Sequence, residues 1–119
     1  MIRFINCVKK RKDISTEDFR NFWQNDQFDN LVREMANSTN AIRYVKNLTL
    51  TVDANVRIME DRGSGEPFDG VIEYWWSNAR DFMDLYETDE FKEVAGRMLA
   101  YQRDFIDIEK SSAFFTESI

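Results

Sequence analysis

Ile2, Phe4, Asn6 and Val8 alternate with Arg3, Ile5, Cys7 and Lys9, the period-two pattern of a strand with one mostly apolar face. A short loop, Lys9 to Ile14, follows. Ser15 with Asp18 makes a capping-box-like helix start, and Glu17 and Asp18 suit the positive end of a helix dipole. Helical spacing continues to about Ala36, where Asn37-Ser38-Thr39-Asn40 is a polar stop. Ala41 to Val52 predicts a second strand, with Ile42, Tyr44, Leu48 and Leu50 on one side, interrupted by Lys46. Asp53 to Pro67 is charged and holds Gly63-Ser64-Gly65 and the only proline, which predicts a long mobile connection. Within it, Val56, Ile58 and Met59 either extend a strand or cover a pocket mouth. Phe68 to Trp76 predicts a third strand that runs straight into a polar helix start at Ser77 and Asn78. A short helix to Tyr86 follows. A longer one from Thr88-Asp89 carries Phe91, Val94, Ala95, Met98, Leu99, Phe105 and Ile106 at helical spacing. Ser112 to Thr116 closes the chain as a fourth strand.

The resulting order, βαββαβ, is an α+β arrangement. Right-handed crossovers and pairing of neighbouring strands reduce it to a ferredoxin-like split βαβ. A single domain over residues 1–119 is expected, with a four-stranded antiparallel sheet and helices on one face. The other face would carry Arg3, Ile5, Cys7, Arg43, Val45 and one alternating set from Val71 to Trp76. Bulky apolar residues on a bare face need a cover, and a second copy supplies one. A homodimer joined through the open sheet face is therefore expected.

Composition narrows the function classes. The net charge of −6 argues against nucleic-acid or anionic-membrane partners, which need a basic face. The run Lys9-Lys10-Arg11-Lys12 reads as a solvated turn. Hydrophobic residues make up 43% and aromatics 14% of the chain, more aromatic surface than one thin sheet hides, so a pocket or a partner subunit is implied. A single cysteine, Cys7, fits a reducing compartment, and neither a secretion signal nor a membrane span is evident. A cytoplasmic location is the expectation. With no histidine in the chain, a Ser-His-Asp triad, a Cys-His pair, a histidine zinc site and a His-ligated haem are all ruled out. No metal site and no cofactor are expected.

Candidate site residues are polar groups in apolar company. Phe19, Trp23, Gln27, Leu31 and Met35 form one i+4 row, which places Gln27 on the inward side. Such a row drifts by ~40° per step, so it stays inward only if the helix bends or breaks near Asn25 to Asp29. Gln27 is then either a satisfied core amide, a residue at the break reaching solvent, or a ligand contact. Asn6 stands on the apolar face of the first strand, and either bonds backbone at a bulge or lines a cavity with Gln27, Trp23 and Tyr44. An aromatic wall with a few amides suits a small apolar or aromatic ligand. Glu73 is a carboxylate inside an apolar strand. Buried alone it would be a raised-pKa catalytic acid or base; otherwise it pairs with Arg3 or Arg43 across the sheet. Trp75 and Trp76 point to opposite faces, and Trp76 is taken as the further wall residue.

These pieces resemble the EthD-like family of dimeric α/β-barrel proteins. The matching elements are Phe19-x-x-x-Trp23, Phe68-Asp-Gly-Val-Ile-Glu-Tyr-Trp75, the Ser77 helix start, Phe105-x-Asp107 and Glu117 near the end. The resemblance implies a ferredoxin-like dimer closing into a barrel, in a family tied to oxidative ether degradation and aromatic polyketide metabolism. It implies a small-molecule binding or accessory protein, or alternatively a cofactor-independent monooxygenase, cyclase or isomerase on a polyphenolic substrate. A dimer without any ligand site is the remaining alternative. The chain departs from the family pattern where a histidine is usual, at Gln27, where a proline is usual, at Asp29, and where an acidic pair is usual, at Tyr101-Gln102. Asn6 is similar to the strand asparagine of the related haem-degrading monooxygenases. Their tryptophan and histidine have no counterpart near Leu85, Tyr86 or Ala95, which disfavours haem.

Overall fold

The computed structural model describes residues 1–119. Its elements in chain order are β1 (Ile2–Val8), α1 (Thr16–Gln24), α2 (Asp26–Ser38), β2 (Arg43–Leu48), α3 (Asp53–Arg62), β3 (Gly70–Trp76), α4 (Ala79–Tyr86), α5 (Asp89–Gln102) and β4 (Ser112–Glu117). The sheet runs β2-β3-β1-β4, every pair antiparallel. This is the expected α+β arrangement, a four-stranded antiparallel sheet of ferredoxin-like order.

Local chemistry explains the helix starts. Ser15 accepts a hydrogen bond from the Asp18 amide at 3.0 Å, Asn78 from that of Asp81 at 3.0 Å, and Thr88 from that of Phe91 at 3.2 Å. Each side chain satisfies one of the amides that a helix leaves free in its first turn.

The helical run expected from Ser15 to Ala36 is two helices, broken at Asn25, inside the stretch where the inward row called for a bend or break. That residue has extended backbone, φ −67 and ψ 139, and does two jobs. Its amide closes α1 on the Phe22 carbonyl, and its side chain caps α2 by accepting from the Gln27 amide at 2.8 Å. Lys46 of β2 fixes the elbow, donating to the Trp23 carbonyl and pairing with Asp29. A cation at the end of α1 and a carboxylate in the first turn of α2 both agree with the helix dipoles. The break shifts the inward row by one residue, so Phe28 enters the core while Gln27 is exposed.

The stretch 53–67 corrects a second expectation. Most of it is the helix α3, ended by Gly63 in the left-handed conformation, φ +63, where glycine carries no steric penalty. None of its residues is buried; Val56 and Ile58 are exposed rather than part of a strand. The predicted helical run through Phe105 and Ile106 ends at Gln102. Ile106 instead forms a bridge with Lys10.

In β3, Gly70, Ile72, Tyr74 and Trp76 are buried under the helices, whereas Val71, Glu73 and Trp75 are half-buried on the opposite face. The register opposes Tyr74 to Phe4 on one side and Tyr44 on the other, so all three share the helix side. An aromatic cluster forms the centre of the core. Trp23 stacks on Phe19 at 5.6 Å and meets Phe28 edge-on at 5.4 Å, while Phe105 lies 5.5 Å from Phe19.

Candidate functional site

Between the sheet and helices α2, α4 and α5 lies a cavity of about 330 Å³. Its floor is Phe4, Asn6, Ile72, Tyr74, Trp76 and Phe115; Phe82, Tyr86, Phe91, Met98 and Gln102 stand over it. Phe115, Tyr86 and Leu99 are partly exposed and form the rim. No charged side chain contributes to the wall. An ionised ligand group would lose its hydration there without gaining a counter-charge.

Two of the candidate residues reach this cavity, Asn6 and Trp76. The Trp76 indole donates to the Thr39 carbonyl at 2.9 Å, so it offers a ring face and has no free donor. The other candidates sit elsewhere. Trp23 is only 2% exposed and belongs to the aromatic core. Tyr44 is 40% exposed, on the helix side but outside the cavity. Gln27 borders a wide surface groove, where Arg97 spans Glu34 and Glu93 at 2.8 and 2.6 Å. Open and crossed by ion pairs, that groove has no means of enclosing an apolar ligand. Glu73 lies across the sheet from the cavity, 3.6 Å from Arg3, which is the paired alternative weighed for it. The expectation of a lone buried acid facing a cavity is not met.

Gln102 was missed. It is only 8% exposed and lines the cavity. The signal was present, because Phe91, Ala95, Met98 and Gln102 follow the 4-3-4 spacing of a single helical stripe.

Tyr74 presents a different anomaly. Its hydroxyl is the one buried side-chain polar atom without a hydrogen-bond partner. Burial, with nearby Tyr44 adding to it, raises the phenol above its ordinary value of 10. Folding thus favours the protonated phenol, so stability is kept below pH 10 and falls as pH rises beyond it. The replacement Tyr74→Phe removes an unpaired buried group and should raise stability by about 1 kcal/mol. Thermal melts at neutral and alkaline pH check this, and the variant should lose less stability above pH 10 than the parent.

Residues 11–108 match the family model of the EthD domain. The chain belongs to the EthD family. No curated protein matches it significantly. Among solved structures, an EthD family protein from Bacillus halodurans superposes with a TM-score of 0.64 at 13% identity, over 100% of this chain and 99% of the other. A dimeric protein of unknown function and ferredoxin-like fold from Bacteroides fragilis gives 0.62 at 11% identity, over 98% and 95% of the two chains. SnoaB, a cofactor-independent oxygenase from Streptomyces nogalater, gives 0.57 at 12% identity, over 98% and 91%. Identities this low establish the shared fold.

In this EthD chain Gln27, Tyr101 and Gln102 occupy three different surroundings. Gln27 is outside the cavity. Tyr101 donates its hydroxyl to the Phe22 carbonyl at 2.7 Å, helping to close α1, and Gln102 brings a neutral amide to the cavity wall. No helix of this EthD chain is long and apolar enough to cross a membrane.

Proposed function

We propose that this EthD protein binds a small, uncharged apolar or aromatic metabolite between its sheet and helices, as a binding or accessory protein in oxidative or polyketide-like metabolism. The observation that carries the reading is the cavity itself, aromatic on most sides and free of charged wall residues. Its volume of about 330 Å³ lies at the lower end of the range for small-molecule sites. The neutral dye N-phenylnaphthylamine should bind at one site per chain, with enhanced emission. Ala95 lines the cavity, and Ala95→Trp should weaken binding at least about tenfold by filling it. Equal affinities for the parent and the variant would refute the assignment.

A second reading is a cofactor-independent monooxygenase, cyclase or isomerase acting on a phenolic substrate, supported by the shared fold with SnoaB. The cavity offers the amides of Asn6 and Gln102 for orientation, and no carboxylate for proton transfer. Glu73 is separated from it by the sheet, so the substrate would have to supply its own acid and base. The reading as a dimer without any ligand site predicts no cavity on the helix side, and the cavity speaks against it.

We also propose that two copies meet through the bare face of the sheet. Trp75 lies between Arg3 and Arg43, their guanidinium carbons 5.6 and 4.8 Å from its ring. Ile5 pairs across the strands with Glu73 on one side and Phe114 on the other, so a mixed apolar and charged patch stands open. Dimeric assembly of a fold neighbour supports the reading.

A further inference from the structure

The cavity has two chemically different ends. Asn6 lies one pleat before Val8, at the end of β1 that continues to Lys10. Gln102 ends α5, its main-chain carbonyl accepting from the Ile106 amide at 2.8 Å, while Ile106 bridges to Lys10. Both amides therefore belong to the same end. The opposite end is built from Trp76, the last residue of β3, together with Phe82 and Tyr86 of α4.

The amides also lack employment. Side-chain hydrogen bonds around the cavity run from Trp76 to Thr39 and from Ser38 and Thr39 back onto α2; none uses the amide of Asn6 or Gln102. Only the Tyr74 hydroxyl is both sealed and unpartnered, so the amides of Asn6 and Gln102, two residues of the cavity wall, are open to water or a ligand. Gln102 is 8% exposed, so a ligand that displaces the water on its amide must replace those hydrogen bonds or lose affinity.

We infer that Asn6 and Gln102 form the polar recognition end of the site and select an uncharged hydroxyl group on an aromatic ligand. The inference rests on the cavity being the ligand site. An amide offers both carbonyl acceptor and N–H donors. A ketone or quinone satisfies only the donors and buries the two acceptors unpaired. A hydroxyl donates to one amide and accepts from the other. A carboxylate brings a charge for which the wall holds no cation. The ligand is oriented with its hydroxyl toward Asn6 and Gln102 and its rings against Trp76 and Phe82.

Calorimetric titration at neutral pH with naphthol, naphthalene and naphthoate tests this directly. Naphthol should bind the parent protein about tenfold more tightly than naphthalene, the value of one or two net hydrogen bonds. Naphthoate should bind at least about a hundredfold more weakly than naphthol, because its charge is desolvated without a partner. In Asn6→Leu and Gln102→Met the naphthol advantage should vanish while naphthalene binds as before. Equal binding of naphthol and naphthalene to the parent, an advantage that survives both substitutions, or naphthoate binding as well as naphthol would overturn the inference and leave the cavity as an apolar site. Absence of binding by all three would sink the cavity reading itself. The comparison in the parent protein needs no variant to fold.

Discussion

Replacing Trp23 by alanine should destabilise the protein by about 3–5 kcal/mol, the usual cost of removing a large aromatic side chain from a core. The indole is 2% exposed and packs between Phe19 and Phe28. It also presses on the backbone of β3: a Cβ built at Gly70 would lie 2.5 Å from its ring. No other residue fits at that position without displacing the indole. The hole left by Trp23→Ala is framed by a helix end, a cap and a strand, none of which collapses readily. Urea denaturation measures the loss directly. A cost under about 1 kcal/mol would mean that the indole is a replaceable wall rather than a keystone.

That distinction shows what the sequence carried and what it did not. Period two in Ile2–Val8 and Gly70–Trp76 located the strands, and the Ser15 and Asn78 caps located two helix starts. The alternation also placed Glu73 and Trp75 together, opposite Tyr74 and Trp76. Which of the two faces meets the helices depends on tertiary packing, so the role of Glu73 stayed open. Of the readings open for Gln27, the residue at a break that reaches solvent is the one observed. The signal for that break is local, because an Asn followed by Asp26 and Asp29 is itself a helix start. Restarting the phase at Asn25 puts Phe28, Leu31 and Val32 inward, as observed.

The helix α3 was missed because its apolar residues are few and its ends resemble a turn. Only Gly63 after Arg62 marked a helix stop. The candidate site was half legible. Asn6 and Trp76 followed from strand alternation, whereas Gln102 required treating a polar residue as part of an apolar stripe. Trp23 and Tyr44 show the reverse problem. Aromatic character alone does not separate core, cavity wall and surface, since the three differ only in what packs against them.

The bare face of the sheet yields the second large effect. Ile5 sits at its centre, between Glu73 and Phe114. In a two-fold dimer joined through this face, Ile5→Asp introduces one carboxylate per copy, each beside an existing Glu73. Each would be desolvated against an apolar surface, costing several kcal/mol per interface. A dimer stable at micromolar concentration should therefore become a monomer, as read by sedimentation equilibrium. Retention of the dimer by Ile5→Asp would move the interface elsewhere, and a parent protein that is monomeric at the same concentration would remove it altogether. The cavity lies on the other side of the sheet, so the monomeric variant should bind N-phenylnaphthylamine within about threefold of the parent, as sites with no shared contacts behave almost independently. A larger loss would show that the two faces are coupled through β1 and β3, the strands whose alternate residues serve both.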